Sequence, residues 1–169
     1  MIKISKAGRT WLRLALKALA IILILWLCFG VFVGFRRISD ISMSGRINDG
    51  DLILFNRISR NYSVGDVVFY SNNDHEYLSE IVGAEDDLVT LNDEGYLLVN
   101  DEVISKAPVY DFTLGETNPF GSGFRVPTGS YFMLNSNYED VNDSRSFGAI
   151  SKSHIKGNVI ALFLRTRSF

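Results

Sequence analysis

Hydrophobic and polar positions divide the chain into two regimes. From Ala18 to Phe35 the sequence reads ALAIILILWLCFGVFVGF, eighteen residues without a charge, closed by Lys17 and Arg36. A bilayer span takes about 20 apolar residues, with a lower limit near 17, and Lys17 and Arg13 can snorkel to add a turn. The run predicts a transmembrane helix over residues 18–35. A cleaved signal peptide would have a shorter apolar core and a small-x-small site behind it. Residues 31–37 offer no such site, so the run is read as a retained anchor.

Beyond Arg37 the apolar period shortens. Short β-branched and aromatic runs separated by Gly, Asn and Asp predict strands near residues 51–56, 66–71, 76–82, 88–91, 96–99, 131–134 and 158–164. Asn92-Asp93-Glu94-Gly95 and Asn100-Asp101 are the residues that hairpin turns demand, since Gly, Asn and Asp tolerate positive φ. No amphipathic helix competes, and the expectation is a meander of short antiparallel strands. Residues 105–130 carry Pro108, Pro119 and Pro127 among four glycines. They read as an irregular loop or small insertion, and loops longer than about 12–15 residues usually serve as a functional surface or a lid.

Charge sharpens this division. Seven of the seventeen Lys and Arg residues lie in residues 1–37, which hold no acid, so ten stand against all nineteen Asp and Glu in the remainder. Five basic residues before the apolar run and two after it place residues 1–17 in the cytoplasm as a basic stub, and residues 38–169 outside. An acidic ectodomain is a poor nucleic-acid binder. Cys28 is the only cysteine, which rules out an intramolecular disulfide. His75 and His154 stand far apart, in no metal-ligand spacing. Neither a metal nor a cofactor is expected.

Three separated blocks carry a resemblance. The first is Ser42-Met43 with Gly50-Asp51 downstream. The second is Val64-Gly65-Asp66-Val67-Val68-Phe69, followed by Tyr77-Leu78-Ser79-Glu80-Ile81-Val82-Gly83. The third runs from Val126-Pro127-Thr128-Gly129-Ser130-Tyr131-Phe132-Met133-Leu134 to Asp143-Ser144-Arg145-Ser146-Phe147-Gly148. Together they resemble the type I signal peptidase family over most of residues 38–165. The resemblance implies a mainly β protein, in which a single N-terminal transmembrane helix precedes a coiled antiparallel sheet or partial barrel beside the membrane.

In that family a serine attacks a peptide carbonyl and a buried lysine, its pKa lowered until it is neutral, takes the serine proton. By resemblance Ser42 occupies the nucleophile position, but Ser79 stands at the lysine position and Glu80 at that of the arginine beside it. Val141 stands where a serine would orient the lysine. Asp40 lies near the oxyanion position, where a carboxylate opposes the developing negative charge. Gly45 and Arg46 replace Pro-Thr, and Asn135 and Ser136 replace Gly-Asp. A serine hydroxyl is no base, and base, orienter and oxyanion surroundings have changed together. His75 shares a strand face with Ser79, but four residues at about 3.3 Å each set it roughly 13 Å away, against a hydrogen-bond reach of about 3 Å.

The resemblance also implies that a peptide adds as an extended strand between residues 39–42 and 77–83. Ser39, Ile41 and Met43 would line one side and Tyr77, Leu78 and Ile81 the other, with Asp143 and Arg145 as a structural brace. The expected partners are the lipid bilayer and an exported precursor or pilin-like protein, held by its signal peptide or an extended segment. This matches the divergent lysine-lacking signal peptidase-like proteins associated with Gram-positive pilus assembly. Two alternatives stand beside a non-cleaving assembly factor: an active signal peptidase with an unorthodox base, and a membrane-tethered β interaction domain.

Overall fold

The computed structural model describes residues 6–37, 51–106, 108–109 and 123–163. Its first element is helix α1, Lys6–Leu27, of 22 residues, about 33 Å long at 1.5 Å per residue. Its leucines, isoleucines and both tryptophans are exposed. A π-helical turn, Cys28–Phe32, continues it. Among the described residues the stretch Thr10–Phe32 is long and apolar enough to cross a membrane, and only its C-terminal end meets the β-domain, where Arg57 bonds the carbonyls of Gly30 and Phe32.

The apolar run ends as a strand. Val33–Arg37 forms β1, so the last three residues of the predicted span leave the helix and pair antiparallel with Leu52–Asn56, β2. Hydropathy could not separate them, because Val33 and Phe35 suit a strand as well as a membrane. Gly34 decides the matter in space: any Cβ there would run into the Phe55 ring.

The remaining strands are Val67–Asn72 (β3), His75–Gly83 (β4), Leu88–Leu91 (β5), Leu97–Val99 (β6), Glu102–Val103 (β7), Phe124–Arg125 (β8), Ser130–Leu134 (β9), Ile150–Ser151 (β10) and Ile155–Phe163 (β11), with a short helix α2 at Ser144–Phe147. They make a seven-stranded antiparallel sheet, order β1-β2-β11-β3-β4-β9-β10, and a four-stranded one, β7-β6-β5-β8. Each predicted strand is present within a few residues. The order is not the expected meander, because β11 lies between β2 and β3. Gly157 permits that insertion: a Cβ there would collide with the Asn56 carbonyl, and β11 is bulged against both neighbours.

Two turns follow their sequence chemistry. Asn73 (φ 47°) and Asp74 (φ 65°) close the β3–β4 hairpin, and Asn100 (φ 51°) and Asp101 (φ 67°) close β6–β7, as a type I′ turn requires. Within residues 105–130 the described part is built into the domain: Ser105, Val109 and Val126 are buried, and β8 pairs with β5.

Strands β3 and β4 are buried on both faces. On one face Phe69 and Leu78 join Ile53 and Phe55; on the other Val68, Tyr70 and Ile81 join Tyr62, Met133, Ile150 and Ile155. A third cluster, with Val82, Val89, Leu97, Phe132 and Leu134, cements the smaller sheet to the end of the larger. The middle of β4, where Ser79 lies opposite Val68, sits between the first two clusters.

Candidate functional site

Ser79 is fully buried, on the face of β4 that turns toward Tyr70. Its hydroxyl donates to Asn135 Oδ1 at 2.6 Å, and the Tyr70 hydroxyl lies 3.1 Å from the same Oγ. Since the single serine proton goes to Asn135, Tyr70 is the donor of the second bond. The Asn135 amide faces the carbonyls of Asp140 and Asn142 with its Nδ2, which fixes Oδ1 toward Ser79. A directed chain results, Tyr70 to Ser79 to Asn135.

This chain is anchored. The Asn135 backbone N–H donates to Asp143 Oδ2 at 2.8 Å, and Asp143 holds Arg145 through Nε at 2.9 Å and Nη2 at 2.8 Å, both side chains being inaccessible to solvent. Arg145 also donates to the carbonyls of Tyr138, at 2.7 Å, and Asp140. Asp143 caps α2 by accepting from the Arg145 backbone N–H. Every buried side-chain nitrogen and oxygen among the described residues has a partner, which is what keeps so polar an interior affordable. Burial pushes the Tyr70 phenol up; its bond with Ser79 opposes this, while Asp143, Tyr77 and Asp140 add to it.

Val141 is half-buried and contributes only its carbonyl, accepting from Ser146 Oγ at 2.6 Å and from the Asp143 N–H. Of the residues expected to meet a peptide, Tyr77 stacks on Tyr70 at 5.5 Å and touches Phe147. Leu78 and Ile81 are core residues instead. Ile81 turns its N–H and C=O to Asp66 and Gly65, so by strand alternation Leu78 and Glu76 turn theirs to the opposite edge. Strand β9 covers that edge only from Glu80 to Gly83. Among the described residues no strand pairs with the half-edge from Glu76 to Leu78. His75 is exposed at the hairpin end of β4, and His154 is exposed before β11. Ser39, Asp40, Ile41, Ser42 and Met43 lie outside the described residues.

Sequence reasoning noted Asn135 only as a departure from Gly and passed over Tyr70. The register Tyr70↔Tyr77, two residues from Ser79, is the signal that links them. A pocket of about 180 Å³ is lined by Asn135 together with Glu80, Val82, Lys106, Leu134 and Tyr138, and Ser79 is not part of its lining. Among the described residues no group of three or more His, Cys, Asp or Glu side chains is placed to hold a metal.

The site thus combines a buried serine wired to an asparagine with a buried aspartate–arginine pair, on an antiparallel sheet that follows an apolar helix. The family profile described as "Signal peptidase, peptidase S26" matches residues 9–164, and the chain belongs to that family. It is 28% identical over 149 residues to the "Inactive signal peptidase IA" of Staphylococcus aureus (strain Mu50 / ATCC 700699), covering 83% of this chain and 84% of that protein. To the "Signal peptidase IB" of the same strain it is 30% identical over 141 residues, covering 70% and 71%. A crystal structure of a signal peptidase I from Enterococcus faecalis V583 is similar with a TM-score of 0.44 and 18% identity, over 58% of this chain and 96% of that one.

Proposed function

We propose that this protein is a membrane-anchored signal peptidase homologue that holds an extended segment of an exported precursor without cleaving it. One observation carries the reading: the position where the family keeps its lysine base holds Ser79, and the hydroxyl is consumed in a closed hydrogen-bond chain with Tyr70 and Asn135. A general base must present a free lone pair of suitable pKa within hydrogen-bond reach of the nucleophile. Ser79 has neither the basicity nor the freedom. The basic stub favours a cytoplasmic N-terminus with the β-domain outside, where a pilin-like surface protein is the fitting kind of client. The resemblance to inactive relatives supports loss of cleavage, and the half-edge at Glu76 and Leu78 supports retained peptide binding by strand addition.

The test is to mix the full-length protein in detergent with a signal-peptide substrate and to follow both cleavage and binding. Binding without cleavage is expected. Cleavage that disappears in Ser42→Ala would establish an active enzyme with an unorthodox base instead.

A further inference from the structure

The half-edge of β4 has a charged rim. Glu76, on β4, receives Arg36 Nε on one carboxylate oxygen at 2.9 Å and Lys156 Nζ on the other at 2.8 Å. Arg36 belongs to β1 and Lys156 to β11, so the three residues tie together strands that are not neighbours in the sheet. Strand β1 does not pair with β4, and its chain runs on into residues 39–42. The Arg36–Glu76 bridge therefore joins β1 to β4 through side chains alone, at the start of the half-edge.

Arg36 spends only Nε on this bridge. Among the described residues its two terminal nitrogens have no partner, and its side chain is 55% exposed. A guanidinium so held presents a pre-oriented fork, the geometry that takes a carboxylate through two parallel bonds. Lys156, also over the Phe69 ring, adds a second cation, and Glu76 offsets only one of the two. The domain as a whole is acidic, so this rim is a local reversal of its field.

We infer that the cleft selects an extended segment carrying an acidic side chain, whose carboxylate docks on the free fork of Arg36 beside Lys156. This rests on the reading of the cleft as a peptide site. It goes further by naming the class of side chain bound, in a place lined by charge rather than by the apolar surface that small aliphatic residues would need.

The test uses full-length protein in detergent micelles and fluorescence anisotropy with labelled extended peptides of one Ala–Thr framework, bearing a single Glu, Gln or Lys at matched positions. The Glu peptide should bind about fivefold more tightly than the Gln peptide, the equivalent of roughly 1 kcal/mol for a partly exposed ion pair, with the Lys peptide weakest. Arg36→Gln should remove the Glu preference, and Arg36→Lys, which keeps charge but loses the fork, should restore only part of it. The control Arg125→Gln, on β8, should leave it intact. Equal binding of all three peptides, or a preference that survives Arg36→Gln, overturns this inference alone. Binding of none overturns the peptide-cleft reading and this inference with it.

Discussion

The hydroxyl of Ser79 donates to the side-chain oxygen of Asn135 across 2.6 Å, joining the middle of β4 to the residue that follows β9. Two positions read from the sequence as departures from the family pattern thus bond to one another. Ser79→Ala would remove the hydroxyl that Asn135 Oδ1 accepts from and would take from the buried Tyr70 hydroxyl its acceptor. A buried polar group deprived of its partner costs about 1–3 kcal/mol. Urea denaturation of Ser79→Ala should show a loss in that range with an unchanged m-value, and a loss near zero would mean that water replaces the hydroxyl without cost.

Restoring a lysine alone should not restore the enzyme. The Asn135 amide fills the space immediately beyond Ser79 Oγ, so Ser79→Lys drives a long cationic side chain into an occupied interior. Overpacking of this kind costs about 1–3 kcal/mol, to which desolvation of the ammonium adds. Asn135→Gly in the same molecule should recover part of the stability by opening the slot. Cleavage of a signal-peptide substrate should stay near background in Ser79→Lys with Val141→Ser while Asp40 remains. Full activity from Ser79→Lys alone would show that neither Asn135 nor Asp40 obstructs the chemistry.

The Asp143–Arg145 pair should be the most sensitive ionic feature of the domain. Both side chains are wholly buried, and between them they hold the Asn135 backbone, the start of α2 and the carbonyls of Tyr138 and Asp140. Removing one member of a buried pair leaves an uncompensated charge, at a cost of about 3–5 kcal/mol. Asp143→Ala and Arg145→Ala should each lower the urea midpoint accordingly. The surface bridge Arg36–Glu76 should be worth no more than about 1 kcal/mol by the same measurement. Equal effects would contradict the burial argument.

The longer strands were legible in the sequence because each combines β-branched or aromatic runs with turn residues of known φ, as at Asn73-Asp74 and Asn100-Asp101. The two-residue strands β7, β8 and β10 carry no period to detect. Strand β1 was hidden by composition, since Val33 and Phe35 satisfy a membrane rule and a strand rule equally. The place of β11 depends on Gly157 meeting Asn56, a contact between residues 101 positions apart that no local pattern encodes. At the site, the sequence showed that residue 79 offers a hydroxyl and no amine. What fills its place could not be read there, because Tyr70 reaches Ser79 from β3 and Asn135 from the loop after β9.

That convergence gives the alkaline limb of stability a specific source. Burial holds the Tyr70 phenol neutral well past the ordinary tyrosine range, with Asp143, Tyr77 and Asp140 adding to the effect against the opposing bond to Ser79. The unfolded chain ionises this tyrosine near pH 10, while the folded chain does not. Below that pH the two states bind the same proton and Tyr70 contributes no slope. Above it the unfolded state alone releases the proton, so folding stability falls as pH rises, toward the raised folded value. Tyr62 and Tyr77, also raised by burial, act in the same direction, so the contribution must be isolated by difference. Stability measured in urea from pH 8 to 11 should fall less steeply in Tyr70→Phe than in the parent, and phenolate absorbance should show one tyrosine fewer among those that resist ionisation while the chain is folded. Parallel slopes for the two proteins would mean that Tyr70 titrates with the exposed phenols, and that the chain from Tyr70 through Ser79 to Asn135 is open to solvent.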